Sequence, residues 1–314
     1  MQSQKYSQTR EQSVNYFFGD IVKKLLIILY SALHFCIASA APVNIVLPVP
    51  PGGVMTDLAL TLSQILNEGG VDNFVSYLPG ADGDIAYNAV LKQQDNVIFE
   101  VAVAHSVFSN VLRDRDNIYT KNMTMIAPVI RSPLGFVSSS KNFNSVRELI
   151  DYAKTTPLPC GVSAPHGSVE LARINKKYGT KFEPVPYKGN SQLRPDLVEG
   201  ALRCALDSVG SHIPLHNDGK LKILSVTHAT RGLDVTMMDH VLSGYTFDNW
   251  FGFAIPKDSN LLKDDRVMKI INNLYRSKKL EPLFDAGFLS AIPQPDIDKT
   301  MTQQTENYRQ LLKK

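Results

Sequence analysis

Three short stretches of this sequence combine glycine, proline and small polar residues at spacings suited to holding an anion by its oxygens. The first is Pro50-Pro51-Gly52-Gly53-Val54-Met55-Thr56-Asp57. Glycine lets backbone N–H groups approach a ligand closely, and Thr56 or Asp57 is placed to cap a helix that follows. Together they make a helix N-terminus that faces an anion; an ordinary tight turn with an N-cap is the other reading. The second stretch, Pro79-Gly80-Ala81-Asp82-Gly83, reads as a ligand loop or a plain turn and lacks the Gly-x-Gly-x-x-Gly dinucleotide pattern. The third, Ser163-Ala164-Pro165-His166-Gly167-Ser168, again opens a helix. There His166 reads either as a ligand contact or as a solvated loop histidine.

Enzyme constellations are missing from the sequence. It has no Gly-x-Ser-x-Gly elbow, no Gly-x-x-x-x-Gly-Lys phosphate loop and no His-Glu-x-x-His. His212 and His216 are four apart, but Pro214 lies between them and no third ligand is near, so surface histidines are the plainer reading than zinc. Asp114-Arg115-Asp116-Asn117 lacks the glycine and terminal glutamate of a calcium loop. Arg131 reads as a solvated or ion-paired arginine sooner than as a carboxylate clamp. Cys160 and Cys204 both open short strand-like runs. Were those strands neighbours, the two could bridge in an oxidising compartment; two separate buried thiols are the alternative.

Short β-like runs alternating with helix-like runs position these turns, the pattern of α/β folds with parallel sheets. Asn44–Pro48 is a strand, followed by a helix from about Thr56 with Leu58, Leu62, Ile65 and Leu66 at helical spacing and Gly69-Gly70 as its stop. Phe74–Leu78 and Val97–Ala104 read as strands, with a helix from Asp84 between them. Ile126–Ser138 is one long β-like stretch, and Ser145–Lys154 is a helix opened by a capping box of Ser145 and Glu148. Then come strand Gly161–Ser163, helix Val169–Lys177, strand Phe182–Pro186, a helix around Leu193–Glu199, and strands at Cys204–Asp207 and Leu221–Val226. Tyr245–Ile255 is β-like, and helices at Asp264–Tyr275 and Gln303–Leu312 finish the chain. With no low-complexity linker, two lobes must share strands, the chain crossing over and back.

The length, 314 residues, fits about two domains. Lys23-Lys24, the apolar run Leu25–Ile37 and Ala38-Ser39-Ala40 form the pattern of a cleavable secretory signal, cut after Ala40. The run is too short to span a bilayer, which takes about 20 residues. The formal charge of +3 includes Lys5, Arg10, Lys23 and Lys24 against Glu11 and Asp20; removing this leader leaves +1. That balance gives no support for nucleic-acid or polybasic membrane binding.

One set of motifs resembles a known family. Leu47-Pro-Val-Pro-Pro-Gly-Gly53 with Thr56-Asp57, Pro79–Gly83, Val185-Pro-Tyr-Lys-Gly189, Ala205-Leu-Asp207, Lys222–Thr227, and Gly244-Tyr245 with Asn249-Trp-Phe-Gly252 follow one another in the order and spacing of the Bug family. These are the extracytoplasmic solute receptors of tripartite tricarboxylate transporters, and residues 43–314 resemble them. The resemblance implies a periplasmic-binding-protein fold of type II, two α/β lobes closing on a small organic carboxylate. It implies lobe one over 41–137 and 246–314 and lobe two over 138–245, a monomer in the periplasm, membrane permease subunits as partners, and no catalytic residue, metal or cofactor. The ligand residues it implies are Pro51, Gly52, Gly53, Thr56 and Asp57; Gly80, Ala81 and Gly83; His105; Ser163, His166, Gly167 and Ser168; and Asp207. The first loop is one residue longer than the family's usual form and contains Met55, and the third is one shorter, which leaves room for a larger or less polar acid. A periplasmic receptor that signals to a membrane sensor, and an α/β transferase or hydrolase using His166 and Asp207, are the alternatives.

Overall fold

The computed structural model describes Lys23 and residues 41–187, 189–247, 249–290 and 297–312. Apart from Lys23, the expected leader over residues 1–40 lies outside them. The chain runs β1 (Val43–Leu47), α1 (Gly53–Glu68), β2 (Asn73–Tyr77), α2 (Asp84–Gln93), β3 (Val97–Ala102), β4 (Met123–Arg131) and β5 (Leu134–Ser139). It continues with α3 (Val146–Thr155), β6 (Leu158–Val162), α4 (Pro165–Tyr178), β7 (Phe182–Pro186), α5 (Asn190–Glu199) and β8 (Cys204–Ser208). Last come β9 (Leu221–Ile223), β10 (Ser225–Val226), β11 (Thr236–Met237), β12 (Trp250–Pro256), α6 (Asp265–Asn273), β13 (Leu289–Ser290) and α7 (Ile297–Leu312), with short helical turns between.

Two sheets organise these elements: a six-stranded sheet ordered β13-β4-β12-β3-β1-β2 and a five-stranded sheet ordered β7-β6-β8-β5-β9. Strands buried on both faces become unbroken apolar runs, and β3, β5 and β12 are buried at every position. One face of the first sheet, with Ile45, Leu47, Ile98 and Phe253, packs on Leu58, Leu62 and Leu66 of α1. The expectation of parallel sheets needs one correction. β12 runs antiparallel to both β3 and β4, and β5 antiparallel to both β8 and β9, so each sheet is mixed.

The long stretch Ile126–Ser138 is two strands in two sheets, broken at Ser132-Pro133 where proline has no N–H for a ladder. Residues 221–226 likewise divide, between β9 of the five-stranded sheet and β10, which pairs with β11 in a separate two-stranded sheet, and β12 begins at Trp250, not Tyr245. The expected capping box is half formed: the Ser145 hydroxyl accepts from the Glu148 N–H at 3.1 Å, whereas the Glu148 carboxylate accepts at 2.8 Å from the N–H of Asn144, one residue before the N-cap. No helix among the described residues is long and apolar enough to cross a membrane.

Candidate functional site

Register alone gathers the three sequence turns. The carboxyl end of β3 lies beside the start of β12, through Ala102 and Phe251, and β12 begins beside the end of β4, through Trp250 and Arg131. In the second sheet β6, β7 and β8 are parallel, and Leu134 at the start of β5 pairs with Ser208 at the end of β8. Both crossovers between sheets, at residues 131–134 and 245–250, therefore leave from the strand ends that carry the loops. They are tied together there: the Ser132 N–H donates to the Asn249 carbonyl at 2.7 Å, and the Asn249 amide donates to the Ser208 hydroxyl at 3.2 Å.

In the first loop Gly52 and Gly53 have φ of 110° and 74°, a region costly for any residue with a Cβ. This backbone starts α1 at Gly53, three residues before the sequence expectation. Thr56 and Asp57 are consequently inside the helix and do not cap it. Instead the Thr56 hydroxyl accepts from the Gly52 N–H at 2.8 Å and donates to the Gly52 carbonyl at 3.2 Å, fixing the loop's exit. Pro51, Gly52 and Gly53 are exposed, and the first N–H groups of α1 have no side-chain cap.

The second loop holds positive φ at Gly80, Ala81, Asp82 and Gly83 in succession. Arg113 pins it, donating to the Ala81 carbonyl at 2.8 Å, to the Asp82 carboxylate at 3.0 Å and to Asp84. Arg115 also grips Asp84, at 2.6 Å, and holds its carboxyl below the usual range. His105 lies in a π turn, Ala104–Phe108, after β3.

The third loop is shorter than the sequence suggested. Pro165 sits at the first position of α4, where its missing N–H costs nothing, so His166, Gly167 and Ser168 form the helix's first turn and not a loop. His166 is not a solvated loop residue: it is 5% exposed, its ring stacked on Phe247 at 5.6 Å and tilted against Phe108 at 5.8 Å. Gly167 allows α4 to meet the sheet, since a Cβ there falls 2.7 Å from Val162 Cγ1 and 3.3 Å from the Leu206 carbonyl. Gly167→Ala is expected to cost about 1–2 kcal/mol by overpacking, read as a lower urea midpoint at unchanged m-value.

Ser163 and Asp207 are brought together: the serine hydroxyl donates to Asp207 Oδ1 at 2.5 Å, while His212 Nε2 lies 2.9 Å from Asp207 Oδ2. His212 is fully buried, correcting its reading as a surface histidine. The set has the members of a nucleophilic triad in the wrong order, since the serine faces the carboxylate and not the imidazole that would take its proton. What it can do is hold a carboxylate acceptor at the end of β8. His216 Nδ1 accepts from the Ile223 N–H at 3.2 Å, and no cluster that could hold a metal ion is present among the described residues. Cys160 and Cys204 are register partners on β6 and β8 and are free thiols.

The electrostatics of the loop edge are shared among helix N-termini. α1, α4 and α5 follow the carboxyl ends of β1, β6 and β7, and none has a side-chain cap or an acidic residue in its first turn. By contrast α3 and α6 carry Glu148 and Asp265 there, and α2 carries Asp84, paired with two arginines. Acid-free N-termini leave the positive end of the helix dipole available to an external anion.

Two buried groups escaped the sequence reading. Glu100, fully buried on β3, has no hydrogen-bond partner at either oxygen. Burial, with Asp57 adding, holds its carboxyl well above the ordinary range. A lone charge in the apolar run Val97–Ala104 was the available signal. Glu170 on α4 is also fully buried, and accepts from Arg173 at 2.5 Å and from the Tyr245 hydroxyl at 2.6 Å. The i,i+3 spacing of Glu170 and Arg173 was visible, but Tyr245 comes from the second crossover.

Residues 75–311 match the family model described as the tripartite tricarboxylate transporter family receptor. A UPF0065 protein of Bordetella bronchiseptica is 26% identical over 60% of this chain; the match spans 59% of that relative, under two thirds of its length. Protein BugT of Bordetella pertussis is 24% identical over 82% of this chain and 83% of its own. Among solved structures, a R. palustris protein with adipate superposes at TM-score 0.71, with 23% identity over 86% of this chain and 95% of that one. MatC from Rhodopseudomonas palustris, with bound malate, gives 0.69 and 17% over 87% and 99%. These structures share the two-lobe solute-binding fold.

Proposed function

We propose, on the premise that the chain belongs to the tripartite tricarboxylate transporter receptor family, that it captures a small organic di- or tricarboxylate in the periplasm for transport. Members of that family are solute-binding receptors. The observation that carries the ligand class is the set of three acid-free, uncapped helix N-termini, α1, α4 and α5, at one edge of the two sheets. Adipate and malate in the R. palustris neighbours support the same class.

In this reading the protein is exported by residues 1–40 and works as a monomer with permease subunits. It is not an enzyme. Its lobes are residues 41–137 with 246–314, and 138–245; sheet membership supports a first crossing at Ser132-Pro133, a few residues before that boundary. The ligand meets backbone N–H groups of Gly52 and Gly53, the turn Gly80-Ala81-Gly83, His105, and the first turn of α4 at His166, Gly167 and Ser168. Thr56, Asp57, Pro51 and Ser163 shape those loops, and Asp207 offers an acceptor. Charge-assisted hydrogen bonds contribute about 1.5–3 kcal/mol each and a partly buried helix dipole up to about 2. Three or four contacts then reach the roughly 8 kcal/mol of a micromolar complex before ordering losses.

A thermal-shift panel of C4 to C6 di- and tricarboxylates tests this. Ligand at about 100 times Kd should add roughly 2.7 kcal/mol, seen as a rise in Tm of several degrees. Thr56→Val, which releases the Gly52 loop, should weaken binding about tenfold, worth about 1.4 kcal/mol. If no organic acid raises Tm, the carboxylate reading is wrong.

A further inference from the structure

Cys160 and Cys204 take no part in the loop edge, yet the fold sets them side by side. They are register partners on adjacent parallel strands, and both are fully buried. Side chains alternate along a strand: both cysteines fall in one cluster with Ala153 of α3 and Leu171 and Ile174 of α4, whereas Ala205 belongs to the cluster on the opposite face. Paired strands lie about 4.8 Å apart, inside the Cα separation of about 4.4–6.8 Å that a disulfide spans. The structure holds the pair as free thiols, with the Cys204 thiol donating to the Pro159 carbonyl at 3.7 Å.

We propose that Cys160 and Cys204 are an oxidative modification site, closed to a cross-strand disulfide as the exported chain folds. The proposal rests on the periplasmic reading for its setting. The oxidant is of the protein-disulfide or glutathione-disulfide class. One cysteine thiolate attacks the oxidant's S–S bond and releases one of its sulfurs as a thiolate. The second cysteine thiolate then attacks the mixed disulfide, forming the Cys160–Cys204 bond and releasing the other. Two electrons and two protons leave the pair, and the oxidant ends as two thiols.

The order of events follows from burial. In the folded dithiol, burial pushes the Cys160 thiol well up from its usual range, and the neighbouring Cys204 thiol adds to that. Such a thiol supplies little thiolate, and the covering helices bar an oxidant. The bond therefore closes before α3 and α4 pack down, and is then shielded from reduction. It ties off the segment holding α4, β7 and α5, which removes freedom from the unfolded chain.

The full-length chain, reduced in denaturant and refolded in a buffer rich in oxidised glutathione, is alkylated under denaturing conditions and mapped by mass. The expected result is a linked Cys160–Cys204 peptide, with Cys36 outside the link, alkylated or carrying glutathione. Oxidised protein unfolded, reduced with dithiothreitol and refolded without oxidant should melt about 5–10 °C lower than before, and the same cycle should leave the Tm of Cys204→Ala unchanged. The folded dithiol placed in the same buffer should oxidise far more slowly than the refolding chain. Recovery of refolded protein with Cys160 and Cys204 both alkylated overturns the proposal. Export is tested apart, by fractionating cells that express the leader-bearing chain. Retention in the cytoplasm would sink the periplasmic reading and leave the refolding result to decide the bond.

Discussion

Arg173→Ala is expected to cost about 3–5 kcal/mol of unfolding free energy, because it removes the cation beside a fully buried carboxylate. Arg173 donates to Glu170 through Nε at 2.9 Å and through a terminal nitrogen at 2.5 Å, and the same group reaches the Thr246 carbonyl at 2.8 Å. Its guanidinium also covers the Tyr245 ring at 4.2 Å, adding a cation–π contact. Even so, burial outweighs these partners and holds the Glu170 carboxyl above its ordinary range. Without Arg173 that range rises further. An acid with a raised folded pKa is at full stability below its unfolded pKa and loses it as pH climbs through the folded value. The Arg173→Ala penalty should thus be smaller at pH 5 than at pH 8, and Glu170→Gln in the same chain should recover part of it. Urea titrations of the single and double variants at both pH values measure this. A penalty independent of pH, unaffected by Glu170→Gln, would show that lost packing is the cause.

The clasp joins the first turns of α4 to the second crossover, so its loss should reach the loop edge as well. His166 is four residues before Glu170 on the same helix, and it stacks on Phe247, two residues beyond Tyr245. Ligand affinity should fall with stability in Arg173→Ala.

Much of this fold was legible because strand, small-residue turn and amphipathic helix are local signals. The N-cap at Ser145, the stop at Gly69-Gly70 and the turns after β1, β2 and β6 are all set by neighbours in sequence. Pairing decisions were not. Nothing local in Ile126–Ser138 says that its halves enter different sheets, since both halves are equally apolar and of its two prolines Pro133 marks the break whereas Pro128 lies within β4. Helix starts failed for a related reason. A polar cap is the local signal of a helix start, whereas Gly52 and Ala164 start α1 and α4 without a capping side chain. The same absence of caps that hides these boundaries leaves the first N–H groups of both helices without a capping side chain, which is what the proposed binding mode uses. His212 and Glu170 were misread or missed because their partners Asp207 and Tyr245 are fixed by tertiary contacts, and a polar residue's burial cannot be read from its own position.

Glu100 gives the second large effect, with the opposite sign from a removed partner: neutralising it should stabilise the protein. It lies on β3 opposite Phe253 and on the face with Ile98 that meets α1. Neither carboxyl oxygen has a partner, and the charged neighbour that acts on it is Asp57, whose like charge makes ionisation harder. The folded state therefore keeps a proton on Glu100 where the unfolded chain has released it. Between the ordinary glutamate value of about 4.3 and the raised folded value the native state binds more protons, so stability falls as pH rises, by up to about 1.4 kcal/mol per unit. Asp84, held low by Arg115, loses its contribution only toward more acid pH and does not mask the effect. Glu100→Gln is close in shape and cannot ionise. Urea midpoints from pH 5 to pH 8 should show the variant gaining on the native chain as pH rises above the ordinary glutamate value, at no more than about 1.4 kcal/mol per unit. A constant difference between the two would mean that Glu100 is ionised in the folded protein or bound to a group that satisfies it. The position also bears on the proposed binding mode, in which a charge at Glu100 beneath α1 would oppose the field at this helix's N-terminus, so Glu100→Gln should bind the proposed acid at least as tightly as the native chain.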